Sequence, residues 1–261
     1  MTTRQNRRRI FCNRTATRAQ FATKFPGMKK TVVIAGVGPG LGAALVRRFA
    51  EEGGRVAMLA RSEDYLARLT KEQPDLKLLP VPTDLSKAAE ITSAFAKVRE
   101  EFGPIDTLIC HASTSAWSGI EELTAEQFER AWRVTVLGAF LCCKEAARDM
   151  IERGRGVILF TGATSAIRGR QGALDFSSAK FGLRGLADSL ARELWPRGIH
   201  VAHLVIDGVI GEAGATNSAA ADEPLLDPDA IAASYWLLAN QERGAWTFEM
   251  DLRPNREDFF L

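Results

Sequence analysis

The sequence is poor in cysteine and has no long apolar run, and each shortage excludes something. Only Cys12, Cys110, Cys142 and Cys143 occur in 261 residues, with no C-x-x-C pair and no nearby histidine at ligand spacing. Neither a disulfide framework nor a zinc centre is therefore expected, and a reducing, cytoplasmic setting is the default. No stretch approaches the roughly 18 consecutive apolar residues of a membrane helix, so no membrane partner is expected. Acids are missing altogether from residues 1–27, which carry Arg4, Arg7, Arg8, Arg9, Arg14, Arg18 and Lys24. Subtracting those seven charges from the net +2 leaves −5 for residues 28–261, so the basic whole-chain balance gives no reason to expect nucleic acid. The basic segment fits an organelle transit peptide, a basic arm, or a start assigned too early with Met28 opening the domain. In each case residues 28–261 are taken as the folded unit.

What is present is an alternation of short β-branched or aliphatic runs with helix-length segments, the pattern of βαβ units. Strands are expected at 31–35, 55–60, 77–81, 107–110, 156–160, 200–206 and 246–250, and helices at 41–52, 64–72, 88–102, 124–152, 177–195 and 229–240. Thr124 with Gln127 makes a capping box, and Asp227 before Pro228 gives an N-cap followed by proline at the first helical position. Residues 211–224, rich in Ala, Gly, Ser and Asp without a clear period, are expected to form a mobile loop. The expected architecture is a single-domain α/β fold: a doubly wound parallel sheet of the Rossmann type, with about seven strands and helices on both faces.

The strongest motif is Gly36-Val37-Gly38-Pro39-Gly40-Leu41-Gly42, between the first strand and the first helix. Glycine there permits positive φ and lets the backbone touch a pyrophosphate, whose charge the helix N-terminus stabilises. About 20 residues on, where an NAD site carries an acid for the ribose hydroxyls, the second strand ends Leu59-Ala60-Arg61-Ser62. A guanidinium in place of a carboxylate favours the 2′-phosphate of NADP(H) over NAD(H).

These residues resemble the short-chain dehydrogenase/reductase family over essentially all of residues 29–252. Gly36, Gly40 and Gly42 have its G-x-x-x-G-x-G spacing, Thr83-Asp84-Leu85 looks like its adenine-contacting turn, and Lys180 sits on a long helix as its lysine does. The resemblance implies cofactor contacts by the glycine turn (Gly36, Gly38, Gly40, Leu41, Gly42), by Arg61, Asp84 and Leu85, and by Ala112, Lys180, Asp207 and Gly208. It also implies a small-molecule carbonyl or alcohol substrate, and a homodimer or homotetramer paired through the helices at 124–152 and 177–195. In the family a Tyr four residues before the Lys exchanges the substrate proton, helped by a Ser about thirteen residues earlier and an Asn on the preceding long helix. Here those places hold Phe176, Ala163 and Thr135; the N-N-A-G stretch reads Cys110-His111-Ala112-Ser113, and the Pro-Gly after the sixth strand reads Asp207-Gly208. The chain thus resembles a divergent subgroup that keeps the cofactor fold without the usual active-site residues.

Phenylalanine has no exchangeable proton, so the acid–base role must move or be absent. His111, at the carboxyl edge of the fourth strand with a pKa suited to exchange near neutrality, is the leading replacement, against a plain backbone-bonded histidine beside the ribose. Ser177 and Ser178 adjoin the lost tyrosine, and Asp207 could polarise a water or be an ordinary turn residue. Lys180 is expected to hold the nicotinamide ribose. His200, His203 and Cys142-Cys143 are expected to be packing or surface residues, and Phe176, Phe181 and Trp195 to be core. Three functions stay open: an NADP(H)-dependent oxidoreductase with an atypical site, a catalytically inactive NADP(H)-binding sensor or scaffold, and a lyase or isomerase borrowing the fold.

Overall fold

A computed structural model of the chain describes residues 30–211 and 225–255. The basic segment at 1–27, and all of the expected loop at 211–224 except Gly211, lie outside the described residues. The strands are β1 (Thr31–Ala35), β2 (Arg55–Ala60), β3 (Leu78–Pro82), β4 (Thr107–Cys110), β5 (Gly156–Thr161), β6 (Ile199–Ile206), a short parallel pair β7 (Val209–Ile210) with β8 (Leu225–Leu226), and β9 (Glu249–Leu252). Seven of them form one parallel sheet in the order β3-β2-β1-β4-β5-β6-β9. The expected seven-stranded Rossmann sheet is therefore present. β1 and β6 are buried along their whole length, as continuous apolar strands covered on both faces should be. β3 carries Pro80 and Pro82, which cannot donate to a ladder, and it lies at an edge.

The helices are α1 (Leu41–Glu51), α2 (Glu63–Glu72), α3 (Ala88–Phe102), α4 (Ala125–Trp132), α5 (Gly138–Arg153), α6 (Leu174–Leu194) and α7 (Pro228–Ala239). One face of the sheet is covered by α1, α2 and α7 through Leu45, Leu66, Ile231 and Tyr235. The other is covered by α3, α5 and α6 through Phe95, Cys142 and Leu183. Local signals place the starts. Thr124 accepts from Gln127 N (3.2 Å) while Gln127 accepts from Thr124 N (2.9 Å), and Asp227 caps α7 by accepting from Asp229 N (2.9 Å).

Two expectations are corrected. The helix expected over 124–152 is α4 and α5 joined by a π-helical turn, Arg133–Leu137, which adds a residue to the coil and holds Thr135 in the interior. The last strand begins at Glu249, later than expected, because Trp246 stacks on His200 (centroids 4.9 Å, planes 6° apart) before the chain enters the sheet. Both His200 and His203 are buried. Among the described residues no helix is long and apolar enough to cross a membrane.

Strand order reverses between β1 and β4, whose register pairs Ala35 with Cys110. The chain leaves these neighbours at Gly36 and His111, which puts both at the crevice where open α/β sheets bind ligands.

Candidate active site

At the β1 lip the geometry is made by backbone. Gly36 has φ 107°, and its N–H donates to Leu59 O at 2.8 Å. A Cβ here would lie 2.5 Å from Ala112 N, so any side chain would be driven into the opposite lip. Gly40, at φ 87°, opens α1 with no side-chain cap, leaving first-turn amides to an anion. Beside this turn lies a cavity of about 760 Å³, of cofactor size. Its walls bring together Gly36, Gly38, Arg61, Asp84, Leu85, His111 and Ala112 of the predicted residues. Asp84 accepts from Ser86 N (3.0 Å) and Ser86 Oγ (2.7 Å), bonds that hold its carboxyl below the usual range, with Lys87 and Arg61 adding to them. A glycine cradle, an uncapped helix start and a guanidinium at the end of β2 together fit a dinucleotide phosphate.

At the β5 lip the geometry is made by side chains. Lys180, buried on α6, donates from Nζ to Thr161 O (2.8 Å), and burial pushes its pKa down to about 8. The same Nζ lies 5.3 Å from the centre of the Phe176 ring, which packs on Trp117 at 5.1 Å. Trp117 is held in a left-handed conformation (φ 53°) and carries the Arg170 guanidinium at 5.8 Å. The fixed point beneath this wall is Asp175, fully buried, which accepts from Ser115 Oγ (2.9 Å), Ala116 N (2.7 Å) and Phe176 N (2.8 Å). At this lip the chain presents an aromatic wall of Phe176 and Trp117.

Burial, and then the charge of Lys180, push the pKa of His111 down to about 4, below the near-neutral value expected. Its Nδ1 lies 3.1 Å from Thr161 Oγ1, which lies 2.7 Å from the hydroxyl of Tyr235 on α7. The partner is a side chain, not the backbone group that the plainer expectation supplies.

The other predicted residues fall outside the walls of the cavity: Gly40, Leu41, Gly42, Thr135, Ala163, Phe176, Lys180, Asp207 and Gly208. Thr135 is buried with no hydrogen-bond partner for its Oγ1 among the described residues. Ala163 is extended and opens the 3₁₀ turn Thr164–Ala166. Asp207 accepts from the Thr164 hydroxyl and pairs with Arg253 at 2.5 Å, so its carboxylate is already engaged. Ser177 accepts from Arg170 N (3.2 Å) and Ser178 donates to Asp175 O (3.0 Å). Phe181, expected in the core, is exposed, whereas Cys142 and Cys143 are buried.

The family model described as short chain dehydrogenase matches residues 30–223. A 3alpha-hydroxysteroid dehydrogenase of Mediterraneibacter gnavus is 32% identical over 169 residues, covering 63% of this chain and 68% of its own. A short-chain dehydrogenase from Rhodopseudomonas palustris is 35% identical with a TM-score of 0.73, over 87% of this chain and all of its own. An alcohol dehydrogenase from the archaeon Thermococcus sibiricus, solved with 5-hydroxy-NADP, is 25% identical with a TM-score of 0.80, over 90% of this chain and all of its own. With its glycine turn, its strand order and these matches, the chain belongs to the short-chain dehydrogenase/reductase family of oxidoreductases.

Proposed function

We propose that the protein is an NADP(H)-dependent oxidoreductase acting on a small, largely apolar carbonyl or alcohol, with Phe176 and Ala163 where the family carries Tyr and Ser. One observation carries this: a single cavity joins the Gly36 turn, Arg61 and Asp84 to His111 across the strand-order reversal. Arg61 in place of an acid supports the phosphorylated cofactor, as does the relative crystallised with an NADP derivative. When bound, the dinucleotide supplies or accepts a hydride. In this reading Lys180 holds the nicotinamide ribose, Asp84 and Leu85 border the adenine, and Ala112 and Gly208 line the cofactor's path. Asp207, engaged by Arg253, fixes the loop at the nicotinamide end. His111, neutral at pH 7 and facing the cavity, hydrogen-bonds the substrate oxygen. Lack of a positioned acid is worth roughly 3–5.5 kcal/mol of barrier, and holding the reactants in contact supplies an effect of comparable size.

The Phe176–Trp117 contact, with the Lys180 amine over the ring, favours a second reading: an NADP(H)-binding sensor or scaffold without turnover. Fluorescence titration of the full chain with NADPH and NADH, followed by a carbonyl panel, separates the two. NADPH binding with carbonyl-dependent oxidation supports the enzyme. Binding without turnover supports the sensor, and binding of neither nucleotide overturns both.

We also propose a homodimer or homotetramer paired through α4–α6, where Phe128, Trp132, Phe140 and Phe181 are exposed. Light scattering should show Trp132→Glu with Phe181→Glu to be monomeric; an unchanged mass rejects this face.

A further inference from the structure

We infer that Thr161, whose hydroxyl accepts from the buried Tyr235, sets the tautomer of His111, so that the imidazole presents a neutral Nε2–H donor to the cavity; its catalytic meaning rests on the proposal that His111 meets the substrate oxygen there. The argument is an accounting of hydroxyl protons. Tyr235 is fully buried, and its hydroxyl has one hydrogen-bond partner among the described residues, Thr161 Oγ1 at 2.7 Å. Thr161, also buried, has two side-chain partners, Tyr235 and His111 Nδ1 at 3.1 Å. A threonine hydroxyl offers one proton and two lone pairs, and a neutral imidazole one donor and one acceptor.

Three orders are possible. If His111 Nδ1–H donates to Thr161 and Thr161 to Tyr235, the phenol proton is left unpaired in the core. If both neighbours donate to Thr161, the threonine proton is left unpaired. Only Tyr235 donating to Thr161, and Thr161 to an unprotonated Nδ1, pairs every hydroxyl proton. An unpaired buried donor disfavours the alternatives at least about fivefold. The proton of the neutral ring then sits on Nε2, which has no protein partner among the described residues, and His111 forms part of the cavity wall. The histidine acts as a fixed hydrogen-bond donor, as an oxyanion-hole group does. Thr161 is the positioning residue, and Tyr235, on the opposite face of the sheet from Lys180, gives its own proton to Thr161.

Long-range proton–nitrogen NMR of the histidine side chains in the full chain at pH 7 tests this, with the His111 signals identified by their loss in His111→Asn. The expected wild-type pattern is Nε2-protonated. Thr161→Val should move the tautomer ratio toward Nδ1–H by about fivefold, the worth of one neutral hydrogen bond, whereas Tyr235→Phe leaves the Thr161 proton with Nδ1 as its side-chain acceptor and should keep the ring Nε2-protonated. Thr161→Val should lower kcat for carbonyl reduction by a similar factor, with NADPH affinity unchanged. Thr161→Ser, which keeps the hydroxyl, should preserve the wild-type pattern and separates loss of the hydroxyl from a general disturbance of the fold. An Nδ1–H or doubly protonated ring in the wild type, or a pattern indifferent to Thr161→Val, overturns the inference. The spectrum needs no substrate. An Nε2–H ring in a protein without turnover would sink the oxidoreductase reading and leave the relay standing.

Discussion

At the β1 lip of the crevice the contacts belong to backbone, and at the β5 lip they belong to side chains. The first lip depends on shape: a Cβ at position 36 would meet Ala112 N at 2.5 Å, whatever side chain follows it. The second depends on chemistry: the Lys180 amine lies over the Phe176 ring, and neither Phe176 nor Ala163 carries an exchangeable side-chain proton. The two requirements are separable because the sheet supports both lips equally. β1 and β6 are fully buried, and neither needs a tyrosine at 176 in order to fold.

The most direct way to break this comparison is the double change Phe176→Tyr with Ala163→Ser. If the β5 lip differs from the family only in its proton donor, carbonyl reduction should rise by about 10²–10⁴-fold. No gain in a folded variant that still binds NADPH would mean that the substrate side has been reshaped around the Trp117–Phe176 wall.

At the β1 lip, Gly36→Ala should cost roughly 2–5 kcal/mol, from left-handed backbone plus overpacking, and should abolish NADPH binding. Thermal unfolding and nucleotide titration check the two parts separately. Arg61→Ala should then weaken NADPH by roughly ten- to a hundredfold and leave NADH unchanged. Equal losses for both nucleotides would show that Arg61 does not read the 2′-phosphate.

Legibility from sequence follows the same division. The β1 lip is readable because glycine spacing and strand endings are local: Gly36, Arg61, Asp84 and His111 meet around one cavity. The relay behind His111 is not, because Thr161 and Tyr235 are 74 positions apart and are joined only when α7 closes over the sheet. Tyr235 carried one faint signal, being one of two tyrosines in the chain. Asp175 stands two residues before the expected helix start, and only the fold reveals it as the anchor of the 115–117 segment. The π-helical turn at Thr135 has no composition of its own, so α4 and α5 read as one helix. The shift in His111's pKa was unreadable for the same reason, since burial and Lys180 act through space.

The smallest effect separates stability from chemistry behind the β5 lip. Glu249 accepts from Arg184 Nε (2.7 Å) and from His203 Nδ1 (2.9 Å), whose proton must sit there because a carboxylate only accepts. Burial pushes the Glu249 carboxyl up, but the bonds from Arg184 and His203 outweigh it and leave the pKa below the ordinary value. A depressed carboxyl contributes stability that is complete above the unfolded pKa of about 4.3 and is lost as pH falls through the lower folded value. The thermal midpoint should therefore drop as pH falls below about 4.3. Glu249→Gln should lower stability by about 1 kcal/mol at pH 7 and flatten part of that acid drop. NADPH affinity should not move, since Glu249 forms no part of the cavity wall. A change in nucleotide affinity would tie the outermost strand to the β1 lip and end the separation between the two sides.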